Sequence, residues 1–205
     1  MARPAMSEQR ADEVRSALVD VAESLVETGG IEALSFRALA DAYGCSNTMP
    51  YSYFASKAEI VDGLRIRAYG WLQSVLEEAA ASSADPLEAL NALAAAYVRA
   101  GAERPAMYEL LYSSAGAMDE DDPRLVAAKR DALDVAKRTI EAAAASASVT
   151  LTTDAETAAH LFWVAAHGLV SLDAGGFLVV GRSGKTLLPV LFDTMTRGIT
   201  EGATP

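Results

Sequence analysis

Leu34-Ser-Phe-Arg-Ala-Leu-Ala-Asp-Ala-Tyr-Gly-Cys-Ser-Asn-Thr-Met-Pro-Tyr-Ser-Tyr-Phe-Ala-Ser-Lys57 is the stretch that decides the fold. Ser35 stands where a side-chain oxygen caps a short helix, on which Phe36, Leu39, Ala40 and Tyr43 share a face. Gly44 ends that helix, because glycine enters a left-handed turn without steric penalty. Ser46 caps a further short helix, expected through Phe54, and Tyr43-Gly44-Cys45 form the turn between them. Two short capped helices joined in this way make a helix-turn-helix, in which one helix braces the other so that its exposed face enters a major groove. Cys45 is small and apolar enough to plug the core between them. Pro50 falls at the fourth helical position. There it loses at most one ladder bond, to the Ser46 carbonyl, and biases Met49 away from α geometry, so a slightly distorted first turn is expected.

Outward from this segment, punctuation marks divide the chain into about nine helices. The first runs from near Ser7 to Thr28, with Val14, Leu18, Val21 and Leu25 as its apolar stripe and Gly29-Gly30 as its stop. Ser56-Lys57-Ala58-Glu59 has the Ser-x-x-Glu capping pattern and opens a fourth helix over 57–81. Asp85-Pro86 opens a fifth, to about Arg104, and Pro105 a short sixth through Tyr112. Asp122-Pro123 opens a seventh. Thr153-Asp154-Ala155-Glu156 opens an eighth, to about Leu172, and a ninth covers Thr186 to about Gly202. There is no internal repeat, and the strand-like Phe177-Leu178-Val179-Val180 has no partner. The fold class is all-α. An N-terminal three-helix helix-turn-helix domain spans 1–57, and a C-terminal helical domain spans 58–205, with helix four as the link.

Composition sets the limits. Of 205 residues 51% are hydrophobic, enough for a sizeable core, and no window approaches the roughly 18 uninterrupted apolar residues of a membrane span. Met1-Ala2-Arg3-Pro4-Ala5-Met6 lacks the apolar run of a secretory signal, and a single cysteine, Cys45, rules out an internal disulfide framework. A cytoplasmic location is expected. The formal charge is −11, and residues 1–57 carry five basic groups (Arg3, Arg10, Arg15, Arg37, Lys57) against eight acidic ones. Contact with nucleic acid must therefore rest on a few placed cations, helix N-termini and neutral donors rather than on a basic field.

The chain resembles the TetR family of regulators over residues 8–65. The resemblance is carried by Leu39-Ala40 in helix two, Gly44-Cys45-Ser46 at the turn, Tyr51 and Phe54 at spacing three, and Ser56-Lys57 with Ile60 opening helix four. It implies that Ser46, Asn47, Thr48, Met49 and Ser52 face base edges or phosphates. Tyr51 and Tyr53 would meet the DNA backbone, Lys57 a phosphate at the start of helix four, and Arg37 another. Chemically, Asn47 suits a bidentate contact to adenine and Met49 an apolar contact to a thymine methyl. Pro50 departs from the aliphatic residue usual in the family, which bears on how Thr48 and Met49 meet DNA.

The C-terminal half is apolar, alanine-rich and free of any catalytic layout. Trp163-Val-Ala-Ala-His167-Gly168 resembles the Trp-x-x-x-His-Gly signature of one TetR C-terminal subclass. The resemblance implies effector binding and dimerisation in this half, with the last two helices pairing with their copies around Gly168, Ser171, Leu191 and Met195. Tyr97, Met107, Tyr108, Leu111, Phe162, Trp163 and His167 are candidates to line a pocket for a hydrophobic or aromatic effector. His167 reads first as a buried, hydrogen-bonded histidine and only secondarily as a ligand sensor.

Other chemistry finds no footing. Gly181-Arg-Ser-Gly-Lys-Thr186 lacks the glycine a phosphate loop needs at position 179, which is Val179. His160 and His167 are seven apart with no third ligand at usable spacing, so no metal site is expected. The acidic run Met118–Asp122 lacks the pattern of a calcium loop. No cofactor and no enzymatic activity are expected. The reading is a ligand-responsive, dimeric regulator on a palindromic DNA operator, most simply a repressor released by a small hydrophobic effector. The alternative is an all-α small-molecule-binding or interaction protein whose helix-turn-helix does not function.

Overall fold

The computed structural model describes residues 8–116, 118, 121–147 and 150–201. The N-terminal hexapeptide, Asp119 and Glu120 of the acidic run, and the expected end of the last helix at Gly202 lie outside them. The fold is all-α, with eight α-helices among the described residues. They are α1 (Glu8–Ala33), α2 (Phe36–Tyr43), α3 (Lys57–Ala80), α4 (Pro86–Glu103), α5 (Pro105–Leu111), α6 (Pro123–Ala147), α7 (Ala155–Ala174) and α8 (Gly184–Gly198). The expectation of no strand is corrected by a two-residue antiparallel ladder, Thr150–Leu151 against Thr200–Glu201.

The described residues cluster into two compact units, whose bounds differ from a single cut after residue 57. One holds residues up to Ala68 together with Arg104–Leu125; the other holds Tyr69–Glu103 and the residues from Val126 onward. Helix α3 supplies its first half to the first unit and its second half to the other.

In the first unit α1 packs on α2 and α5. The α1 stripe is rotated from the expected one. Val14, Leu18, Val19, Ala22 and Val26 are buried, whereas Val21 and Leu25 are half-buried. The i, i+4 row 14–18–22–26 lies on the inner face, and Ala22 is too small to stand out in an apolar stripe. Gly30, at φ 68°, kinks α1 at the expected Gly29-Gly30 stop, and the helix resumes to Ala33. Arg104, between α4 and α5, donates to Glu27 (Nε to Oε1, 2.7 Å) and Glu23 (2.9 Å) on α1, and Arg67 meets Asp20 and Glu23. Four carboxylate contacts from two guanidinium groups thus tie α3 and α5 to the outer side of α1.

In the second unit α4, α7 and α8 pack on one another. Their ends are capped as their sequences require. Asp85 Oδ1 accepts from Leu87 N–H (2.8 Å), and Asp154 accepts from Thr157 N–H (2.8 Å). Asp154 is therefore the cap of α7, rather than Thr153. Helix α8 starts two residues earlier than expected because Ser183 and Thr186 cap each other reciprocally.

Candidate nucleic-acid interface and ligand cavity

Ser35 caps α2 through Ala38 N–H (3.1 Å), and Gly44 closes it at φ 79°, ψ 38°, with its N–H on the Ala40 carbonyl. The left-handed turn expected at Gly44 is present. Beyond it the structure departs from expectation. No α-helix runs from Ser46 to Phe54. The chain makes a turn, then a single 3₁₀ turn over Pro50–Ser52. The reason lies in Pro50. An α-helix would send the residue-50 N–H to the Ser46 carbonyl, and proline has none. Met49 N–H takes that carbonyl instead (2.9 Å), Ser52 N–H takes Met49 O (3.0 Å), and Tyr53 N–H takes Pro50 O (3.0 Å). Each is an i→i−3 bond, the tighter winding of 3₁₀ structure. Met49 itself sits at φ −63°, ψ −44°, in the α region, so the expected bias away from it is not realised.

This winding leaves Ser46, Asn47, Thr48, Tyr51 and Ser52 exposed and Met49 and Tyr53 half-buried. Ser46 and Thr48 hydroxyls approach each other at 3.3 Å. Tyr51, 61% exposed, lies flat on Phe36 of α2, with ring centroids 4.0 Å apart and planes 6° from parallel. Phe54 is buried, whereas Cys45 is half-buried and does not plug the core as expected. Arg37 is exposed beside Asp41. Lys57 is not extended toward solvent. Its Nζ donates to the Ile31 carbonyl (2.8 Å), just past the Gly30 kink.

The segment is held from below by a residue that sequence reading missed. Arg15 of α1 donates to the Tyr53 carbonyl, lies over the Phe54 ring (4.4 Å to the centroid) and pairs with Glu59 (2.6 Å). Glu59 also accepts from Ala55 N–H (2.7 Å), while Ser56 Oγ accepts from Glu59 N–H (3.2 Å). The Arg15 hydrogen bond first, and the Ala55 N–H second, hold the Glu59 carboxyl below the usual carboxylate range. In the sequence Arg15 stood only as one of the five basic groups of residues 1–57.

In the second unit a cavity of about 40 Å³ lies among five helices. Tyr97, Phe162 and Trp163 line it, together with Leu72 and Leu76 of α3, Ala132, Leu133, Ala136 and Ile140 of α6, and Phe192 of α8. Trp163 Nε1 donates to Tyr97 Oη at 2.9 Å. His167 is half-buried one turn beyond Trp163, outside the lining, with Nε2 3.4 Å from Ser171 Oγ, and burial pushes its pKa down. Met107, Tyr108 and Leu111 do not reach the cavity; they are buried in the first unit on α5. Gly168 and Ser171 lie on α7, and Leu191 and Met195 are half-buried on α8.

A family model described as tetracyclin repressor-like, C-terminal domain, matches residues 90–196, and one described as bacterial regulatory proteins, tetR family, matches residues 18–64. The chain belongs to the TetR family of transcription regulators. The HTH-type transcriptional repressor KstR2 of Mycobacterium tuberculosis is 34% identical over 79 residues, which are 38% of this chain and 40% of that protein. The chain thus matches well under half the length of this relative. A protein of unknown function from Rhodococcus sp. RHA1 has the same fold, with TM-score 0.77, 27% identity and coverage of 92% of this chain and 95% of that one. FadR from Bacillus subtilis, solved in complex with stearoyl-CoA, superposes with TM-score 0.68 at 14% identity, covering 90% and 98% of the two chains. Among the described residues no helix is long and apolar enough to cross a membrane.

Proposed function

We propose that the chain is a ligand-responsive repressor that binds a palindromic operator as a homodimer and leaves it when a small hydrophobic effector fills the second unit. The observation that carries this reading is the exposed segment after Gly44. It presents Asn47, Thr48, Tyr51 and Ser52 together while Arg15 and Phe54 anchor its underside. Asn47 is the candidate for bidentate reading of adenine and Met49 for a thymine methyl. Ser46, Tyr53 and Arg37 are the candidates for phosphate contact. Two-fold symmetry asks for half-sites about 34 Å apart or a little more. Repression released by ligand follows if the effector favours a state with the wrong spacing of the two reading segments, with α3 as the lever.

Homodimerisation is supported by apolar exposure on the last two helices. Leu161, Val164 and Leu172 of α7 and Val190 of α8 are 45%, 71%, 47% and 64% exposed. They accompany Gly168 and Ser171, and a Cβ built on Gly168 meets nothing within 4 Å, which leaves room for a partner helix. The Trp163-His167-Gly168 hexapeptide supports the C-terminal subclass.

A mobility-shift assay on DNA flanking the chain's own coding region tests the proposal. Specific retention lost on Asn47→Ala or Tyr51→Ala supports it; no specific retention of any fragment in a genomic selection sinks it. One observation favours the second reading, an interaction protein with a silent helix-turn-helix. Lys57 is engaged with the Ile31 carbonyl rather than presented to a phosphate. If Lys57→Ala leaves operator affinity unchanged but lowers the thermal midpoint, Lys57 braces the fold and binding rests on the neutral donors.

A further inference from the structure

We infer that the effector is an uncharged, mainly hydrocarbon molecule bearing one hydrogen-bonding oxygen, which is read by the Tyr97–Trp163 pair. This rests on the ligand-responsive reading and narrows it to a chemical class. The side chains lining the cavity are leucines, alanines, an isoleucine, two phenylalanines, Tyr97 and Trp163, and none is charged. The side-chain polar atoms in that wall are Tyr97 Oη and Trp163 Nε1, bonded to each other at 2.9 Å on facing helices α4 and α7. A carboxylate entering here would lose its hydration and meet no counter-charge. A quaternary ammonium needs open aromatic faces or an acid. Phe162 and Phe192 instead stack on one another, with centroids 5.1 Å apart and planes 28° from parallel, and no acid lines the wall.

A neutral oxygen is different. A hydroxyl or carbonyl can accept from the indole N–H in place of Tyr97, and a hydroxyl can also donate to Tyr97 Oη. The exchange leaves each polar group paired. The alanines mark where the wall can give way to the hydrocarbon. Ala94, Ala132, Ala136, Ala159 and Ala166 face the cavity from three helices, where a core built only to be filled would carry larger side chains.

Isothermal titration of the full chain at neutral pH with ring-matched probes tests this: para-butylphenol, para-butylbenzoate, para-butylphenyl-trimethylammonium and butylbenzene. The phenol should bind saturably, and both ions should bind about a hundredfold more weakly or not at all. Tyr97→Phe and Trp163→Phe should weaken the phenol about tenfold while leaving butylbenzene within about twofold. A misfolded variant cannot produce that split. Ala136→Phe should abolish binding of both neutral probes. The inference is overturned if either ion matches the phenol, if no neutral probe saturates, or if Tyr97→Phe weakens phenol and butylbenzene alike. Operator binding without ligand is measured separately by mobility shift, so failure of the repressor reading and failure of this inference are told apart.

Discussion

Tyr51 lies flat on Phe36, yet most of its ring faces solvent. An offset aromatic pair is worth about 0.5–1.5 kcal/mol beyond its buried area. Tyr51→Ala should therefore cost stability of that order by urea titration, and lower specific DNA affinity at least about tenfold. Affinity unchanged beyond the stability loss would assign the ring to packing alone. His167 makes a pH prediction. Burial lowers its folded-state pKa, so the unfolded chain takes up the proton first as pH falls. The stability tied to the neutral ring is present above the ordinary histidine value and is lost as pH drops through it toward the lowered folded value. The thermal midpoint should fall across that window, and His167→Gln should flatten the fall. Individual residues were readable in the sequence where one local rule decided them, as at Ser35, Gly44 and Phe54. Arg15 and Lys57 were not, because their partners are the distant carbonyls of Tyr53 and Ile31.

Caps and prolines placed α2 through α8 within a few residues, since each such signal acts over a single turn. The missing third helix has the same kind of cause, acting at a single residue. One absent N–H at Pro50 redirects the Ser46 carbonyl to Met49 and winds the segment as 3₁₀. Such short i→i−3 bonds open easily. Amides of residues 47–49 and 51–53 should exchange with solvent far faster than those in the middle of α3, and should slow on specific DNA. Equal protection in the free protein would mean a stable helix there. The tether of α5 is testable in the same spirit. Arg104 is held by Glu23 and Glu27, with about a third of its side chain exposed. Arg104→Ala should cost about 0.5–1 kcal/mol, read from the urea midpoint.

An acidic chain that binds DNA has to do so with few ion pairs. The slope of log affinity against log salt should correspond to about four phosphates or fewer per subunit, and a steep slope would reveal an unrecognised basic surface. If the proposed dimer forms through α7 and α8, Val164→Glu or Leu172→Lys should yield monomers by sedimentation and weaken operator binding at least about tenfold, because a dimer holds both half-sites together. The all-α architecture was readable from punctuation alone. The cavity was readable only in its aromatic members Tyr97, Phe162 and Trp163, since leucine and alanine at helical spacing look alike whether they fill a core or border a hollow, and Met107, Tyr108 and Leu111 carried no mark of belonging to the other unit.

The hollow itself is small. About 40 Å³ is room for roughly three waters, far less than a butylphenol. Entry must therefore wait for the helices to part, and arrival becomes a matter of timing. In stopped-flow mixing followed by indole fluorescence, the observed rate should level off as effector concentration rises, at the frequency with which the chain opens by itself. A rate that keeps climbing linearly would mean the door already stands open.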